Sequence, residues 1–89
     1  MKLPLGQIEI SDFARRALAE ADQDMEQFLA RHQRCDWGEV DAIGKAHNDH
    51  AATHNLDVTS FYRLETGVIL TITTEYDRAV TRVELFSGS

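Results

Sequence analysis

Polar and apolar residues alternate over Gln7-Ile8-Glu9-Ile10, the period of a short, half-buried strand. The period then lengthens. Ser11-Asp12 offers a helix N-cap, and Phe13, Ala14, Ala17, Leu18 and Ala21 fall on one face of the helix that follows. The acid-rich stretch Glu20-Ala21-Asp22-Gln23-Asp24 interrupts this pattern. Asp24 with Gln27 three positions on makes a capping box for a second helix, whose apolar stripe is Met25, Phe28 and Leu29, with His32 next at helical spacing. Asp36 and Glu39 repeat the capping-box spacing around Trp37-Gly38 and predict a third helix to about His54. Its face reads Trp37, Val40, Ile43, Gly44, His47, Ala51 and His54. A mid-helix glycine costs roughly 1 kcal/mol relative to alanine, so Gly44 predicts close packing against another element.

The last third of the chain is β-rich. Phe61-Tyr62-Arg63-Leu64 and Val68-Ile69-Leu70-Thr71-Ile72-Thr73 flank Glu65-Thr66-Gly67, a short glycine-containing hairpin loop. Glu75-Tyr76-Asp77-Arg78 makes the next turn, and Ala79 to Phe86 alternates cleanly. The expected fold class is α+β: three helices packed on one face of a three- to four-stranded antiparallel sheet with a C-terminal β-meander. With 89 residues and no internal repeat, residues 1–89 read as a single domain.

Composition narrows the function classes. The chain carries 9 Lys+Arg against 15 Asp+Glu, a net charge of −6, without a Lys/Arg cluster. Nucleic-acid binding works through phosphate neutralisation by such clusters, so direct DNA or RNA binding is not expected. A partner with a basic surface is the electrostatic match, either a host protein or a ribonucleoprotein complex. The single cysteine, Cys35, fits a reducing compartment, and Met1 to Gly6 lacks the apolar core of a signal peptide. No apolar run approaches the roughly 20 residues of a membrane span. The expectation is a cytoplasmic protein without membrane contact.

Two segments carry a resemblance. Ala30-Arg31-His32-Gln33-Arg34-Cys35-Asp36-Trp37-Gly38-Glu39-Val40, continuing to Asn48-Asp49, and Thr73-Thr74-Glu75-Tyr76-Asp77-Arg78-Ala79-Val80-Thr81 both contribute, and Tyr62-Arg63-Leu64 fits as well. Over roughly residues 28–85 the chain resembles small proteins of bacterial plasmids and integrative elements, some labelled as type I restriction modification subunits. That label implies a methyltransferase, yet the chain has neither a glycine-rich cofactor loop nor an Asn-Pro-Pro motif. Cys35, Tyr76, Ala79, His47, His50 and His54 depart from the family pattern. The resemblance implies a mobile-element setting and, joined to the charge, an accessory factor that inhibits a host defence complex of the anti-CRISPR or anti-restriction kind.

Four sets of residues are candidates for chemistry or binding. Glu20, Asp22, Asp24 and Glu26 crowd into one stretch and suit docking to a basic partner or mimicry of phosphates; a solvated helix junction is the bland alternative. Their spacing is not that of a calcium loop. Glu75, Asp77 and Arg78 form a turn that either locks the fold or joins Asp36-Trp37-Gly38-Glu39 in a shared binding surface. Trp37 serves as a core residue or as that surface's anchor. His47, His50 and His54 have the helical spacing to clamp a zinc or nickel ion, with Asp57 as an added ligand. Cys35 with His32 lacks the orienting and oxyanion groups a nucleophilic site requires. The expected protein is non-enzymatic, without cofactor, and binds a partner protein. A metal-binding module on the histidine helix is one alternative. A homodimer pairing through the meander's exposed edge is another.

Overall fold

The computed structural model describes residues 2–86. In chain order the elements are β1 (Gln7–Ile10), α1 (Asp12–Ala21), α2 (Met25–Gln33), α3 (Ala42–Thr53), β2 (Val58–Arg63), β3 (Ile69–Thr74) and β4 (Val80–Leu85). Local chemistry sets the first two helix starts. Ser11 Oγ accepts from the Ala14 amide at 3.1 Å and Asp24 accepts from the Glu26 amide at 3.0 Å, each satisfying a donor that the first turn leaves free.

The sheet has the order β1-β4-β3-β2. Strands β2, β3 and β4 form the expected antiparallel meander, with Ile72 paired to both Ser60 and Val83. The fourth strand corrects the all-antiparallel expectation. β1 lies parallel to β4, Gln7 against Val80 and Ile10 against Val83, so the sheet is mixed. Three intervening helices carry the chain back across the molecule, which lets β1 run in the same direction as β4; a tight hairpin could not.

One face of the sheet is covered by α1 and α2. Ala14, Ala17, Leu18 and Ala21 meet Phe28 and Leu29, and both sets pack on Tyr62, Leu70, Ile72 and Val83. Small alanines on α1 let it approach the strands closely, while Phe28 stacks obliquely on Tyr62 with ring centres 5.4 Å apart. A second cluster of Leu3, Trp37, Ala51, Ala52 and Val58 joins the N-terminal arm to α3.

α3 departs from its predicted start and its predicted face. It begins at Ala42, capped by Asp41, whose carboxylate accepts the Gly44 amide at 2.7 Å. The Asp36–Glu39 capping box does not form because the Asp36 carboxylate holds Arg31 at 2.8 Å and turns back to the Gly38 amide. Gly38 itself has φ +75°. Its segment is extended and bridges to β2: Phe61 donates to the Trp37 carbonyl at 3.0 Å, and Glu39 donates to the Phe61 carbonyl at 2.7 Å. A Cβ on Gly38 would fall 2.0 Å from the Phe61 carbonyl oxygen. The buried face of α3 is Asn48, Ala51 and Ala52, whereas Ile43 is 81% exposed. Phe13, placed on the apolar stripe of α1 by its spacing, is 68% exposed. Gly44 faces its own first turn, near Asp41 and Val40, not another element.

The same region closes the meander's outer edge. The Asn48 amide group donates to the Thr59 carbonyl at 2.8 Å and accepts the Thr59 amide at 3.3 Å. With Phe61 bridged to residues 37–39, two of the three outward-facing backbone positions of β2, Thr59 and Phe61, are occupied. The meander's other flank is taken by β1. The meander's flanks are thus occupied at Thr59 and Phe61 on one side and by β1 on the other.

Candidate functional site

The acidic junction between α1 and α2 is exposed. Glu20, Asp22, Asp24 and Glu26 all face solvent, and none joins an ion pair among the described residues. Asp22 ends α1 in the left-handed conformation (φ 54°), and Asp24 starts α2, so two helix ends fold the four carboxylates into one corner. Negative charge at the start of α2 is favoured by the exposed amides there.

The other sequence candidates belong to the scaffold. Trp37 is 2% exposed, and its indole N–H donates to Asp49 at 2.9 Å. Arg78 reaches the end of α3, where its guanidinium donates to the carbonyls of Ala51 (2.9 Å) and Leu56 (2.7 Å) and to Glu75 O in its own turn (3.0 Å). Asp77 accepts the Ala79 amide and Glu75 pairs with Arg82 at 2.6 Å, so the turn locks itself. It docks on α3 and Asp57, which accepts the Tyr76 amide at 2.7 Å. Its contacts are with the end of α3 and with Asp57, whereas the Asp36–Glu39 segment bridges to Phe61.

The histidine helix does not form a chelate. His50 and His54 stack face to face, ring centres 3.9 Å apart and 15° from parallel. Stacked imidazoles direct their in-plane lone pairs side by side, not toward one point. His54 Nδ1 also lies 2.8 Å from the His50 carbonyl oxygen. Among the described residues no three His, Cys, Asp or Glu side chains gather as metal ligands.

A buried polar chain escaped the sequence patterns. His32 is 0% exposed, with Nδ1 2.6 Å from Ser60 Oγ and Nε2 2.9 Å from Thr74 Oγ1. Thr74 contacts Thr81 at 2.7 Å, and Thr81 donates to the Leu5 carbonyl at 2.7 Å. A carbonyl only accepts, so the chain has one direction: Thr81 donates to Leu5, Thr74 to Thr81, His32 Nε2–H to Thr74, and Ser60 to Nδ1. Burial, aided by the positive charge of Arg78, pushes the His32 pKa down to about 4. The available signal was three hydroxyl residues at inward-facing positions of three neighbouring strands. Both ring nitrogens are occupied, so His32 is not poised as a base for Cys35, whose thiol is pushed up by burial.

The outer sheet face carries a second overlooked feature. Phe61 and Phe86 meet edge to face, ring centres 5.6 Å apart, at the centre of an open trough. Val40, Ile43 and Ile69 extend it across α3 and the sheet, and Phe13 extends it beyond Phe86. The charged residues lining it are Glu39, Asp41, Asp57 and Glu84, with no Lys or Arg among them. Glu39 is held by Arg63 beside the trough at 2.9 Å; the other three carboxylates have no ion-pair partner among the described residues. The alternation of β2 signals Phe61's outward position, but Ile43 and Phe13 were assigned to the core by helical spacing.

Compared with family models, curated proteins and solved structures, the chain matches none.

Proposed function

We propose that this chain is a small, acidic, non-enzymatic factor that binds a partner protein through that partner's basic surface. The supporting observation is the exposed, unpaired corner of Glu20, Asp22, Asp24 and Glu26 on a molecule of net charge −6. Carboxylates outside ion pairs leave their field available for steering a cationic surface. No helix among the described residues is long and apolar enough to cross a membrane. The finer proposal draws on the resemblance of the Asp36-Trp37-Gly38-Glu39 and Thr74-to-Thr81 segments to mobile-element proteins. On that basis the partner is a cytoplasmic host defence complex, whose nucleic-acid groove offers the required basic surface, and the chain inhibits it.

The test is transformation of cells carrying a defined restriction or CRISPR system with a plasmid that the system targets. Expression of the chain raises transformation efficiency, and the Asp22→Lys/Glu26→Lys variant, expressed to the same level, does not. Unchanged efficiency across type I restriction and the main CRISPR classes would remove the inhibitor proposal.

A further inference from the structure

Resting on the protein-binding reading above, we infer that the contact surface includes the outer-face trough, and that its occupant is a basic amphipathic helix of the partner. Three of the exposed large apolar side chains, Phe13, Ile43 and Phe86, line this one feature, together with half-buried Val40, Phe61 and Ile69. An exposed apolar tract of this kind, bordered by charge, is the anatomy of a binding surface: aromatic anchors at the centre and a polar rim.

The lining charge selects the occupant. Every charged lining residue is acidic, so an apolar segment flanked by Lys or Arg is attracted and an acidic one is repelled. A second copy of this chain would bring the same acidic rim against itself, and an anionic lipid or nucleic-acid surface meets the same opposition. The backbone decides between strand and helix. The outward N–H and C=O groups of Thr59 and Phe61 are already bonded to Asn48 and to residues 37–39, so no peptide can add to the sheet edge here. The occupant must bring side chains. A helix supplies an apolar face with cations on its flanks.

The probe is a fluorescent synthetic helix of Leu and Lys in an amphipathic pattern, compared with a scrambled peptide of identical composition and with a Leu/Glu counterpart. Fluorescence anisotropy reads affinity, and amide chemical shifts locate the contact. The expected result is binding of the patterned Leu/Lys helix alone, weakening with salt and shifting the amides of Val40, Ile43, Phe61 and Phe86. Ile43→Ser and Phe86→Ser, both at exposed positions, weaken it about tenfold or more. Glu84→Lys lowers affinity for the Lys helix and raises it for the Glu helix. If the Lys helix shifts only residues 20–26 and ignores Ile43→Ser, the trough proposal fails while the protein-binding reading stands. If it binds nowhere, both fail. Salt-stable self-association abolished by Ile43→Ser in sedimentation velocity would make a second copy the occupant and overturn the proposal.

Discussion

At the scale of single residues, His32 ties acid stability to one ring. Burial, with the charge of Arg78, holds the imidazole neutral, and the hydroxyl chain that ends on the Leu5 carbonyl sets its proton on Nε2. Its folded-state pKa of about 4 lies below the ordinary 6.5, so between these values the unfolded chain binds the extra proton and the folded one does not. This contribution is complete above pH 6.5 and is lost as pH falls through 4. A displacement of that size corresponds to roughly 3 kcal/mol, a large part of a small domain's stability. Urea midpoints measured across this window should decline steeply, and a flat profile would disprove the assignment. Hydrogen bonds from Arg31 to Asp36, and from Lys45 to Asp49, hold those two carboxylates below 3.8. Their stabilisation is lost only at lower pH, so the two effects separate.

At the scale of elements, the edge of β2 is occupied at Thr59 and Phe61 by parts that are not strands. Asn48 acts as a side-chain imitation of a peptide group at Thr59, and the 37–39 segment supplies a single bridge at Phe61. Asn48→Ala should lower stability by about 1–3 kcal/mol, because two part-buried backbone groups of Thr59 lose their partners. Faster amide exchange at Thr59 and increased light scattering on mild heating would accompany the loss. Gly38→Ala should be worse, since a Cβ meets both a positive φ and the Phe61 carbonyl. A Gly38→Ala protein with an unchanged thermal midpoint would refute the bridge. Most elements were readable from periodicity: β1 and the first two helices fall where alternation, caps and apolar spacing place them. The start of α3 was not, because Asp36 and Glu39 satisfy a capping pattern whose side chains are engaged elsewhere, by Arg31 and Arg63. Helical spacing identified stripes correctly, but could not show that Phe13 and Ile43 lie beyond the reach of the sheet.

At the scale of the whole molecule, charge and fold are separable. The corner of Glu20, Asp22, Asp24 and Glu26 contributes no ion pair among the described residues. Asp22→Lys with Glu26→Lys should therefore leave stability within about 1 kcal/mol, while slowing association with a basic partner roughly tenfold at low salt. Association rate against ionic strength is the measurement, and equal rates for variant and parent would reduce the corner to solvation. The candidate site was legible only in part for a related reason. Net charge and acid spacing are visible in one dimension. The trough gathers residues from α1, α3 and three strands with the segments that flank them, and no local pattern announces their meeting.

The parallel pairing of β1 with β4 also imposes an order in time. Among the described strands, β1 is made before the others, and β4, with which it pairs, is made after them. Until Val80 to Val83 emerge, Ile8 and Ile10 have no ladder to join, and Leu5 lacks the Thr81 hydroxyl that holds its carbonyl. Helices α1 and α2 meet the same delay, because the Tyr62, Leu70, Ile72 and Val83 surface beneath them is synthesised after they are. Non-local contacts of this kind slow folding, since loop closure precedes the contacts that reward it. The nascent chain up to α2 is thus an apolar-striped, acid-rich segment whose sheet is synthesised after it.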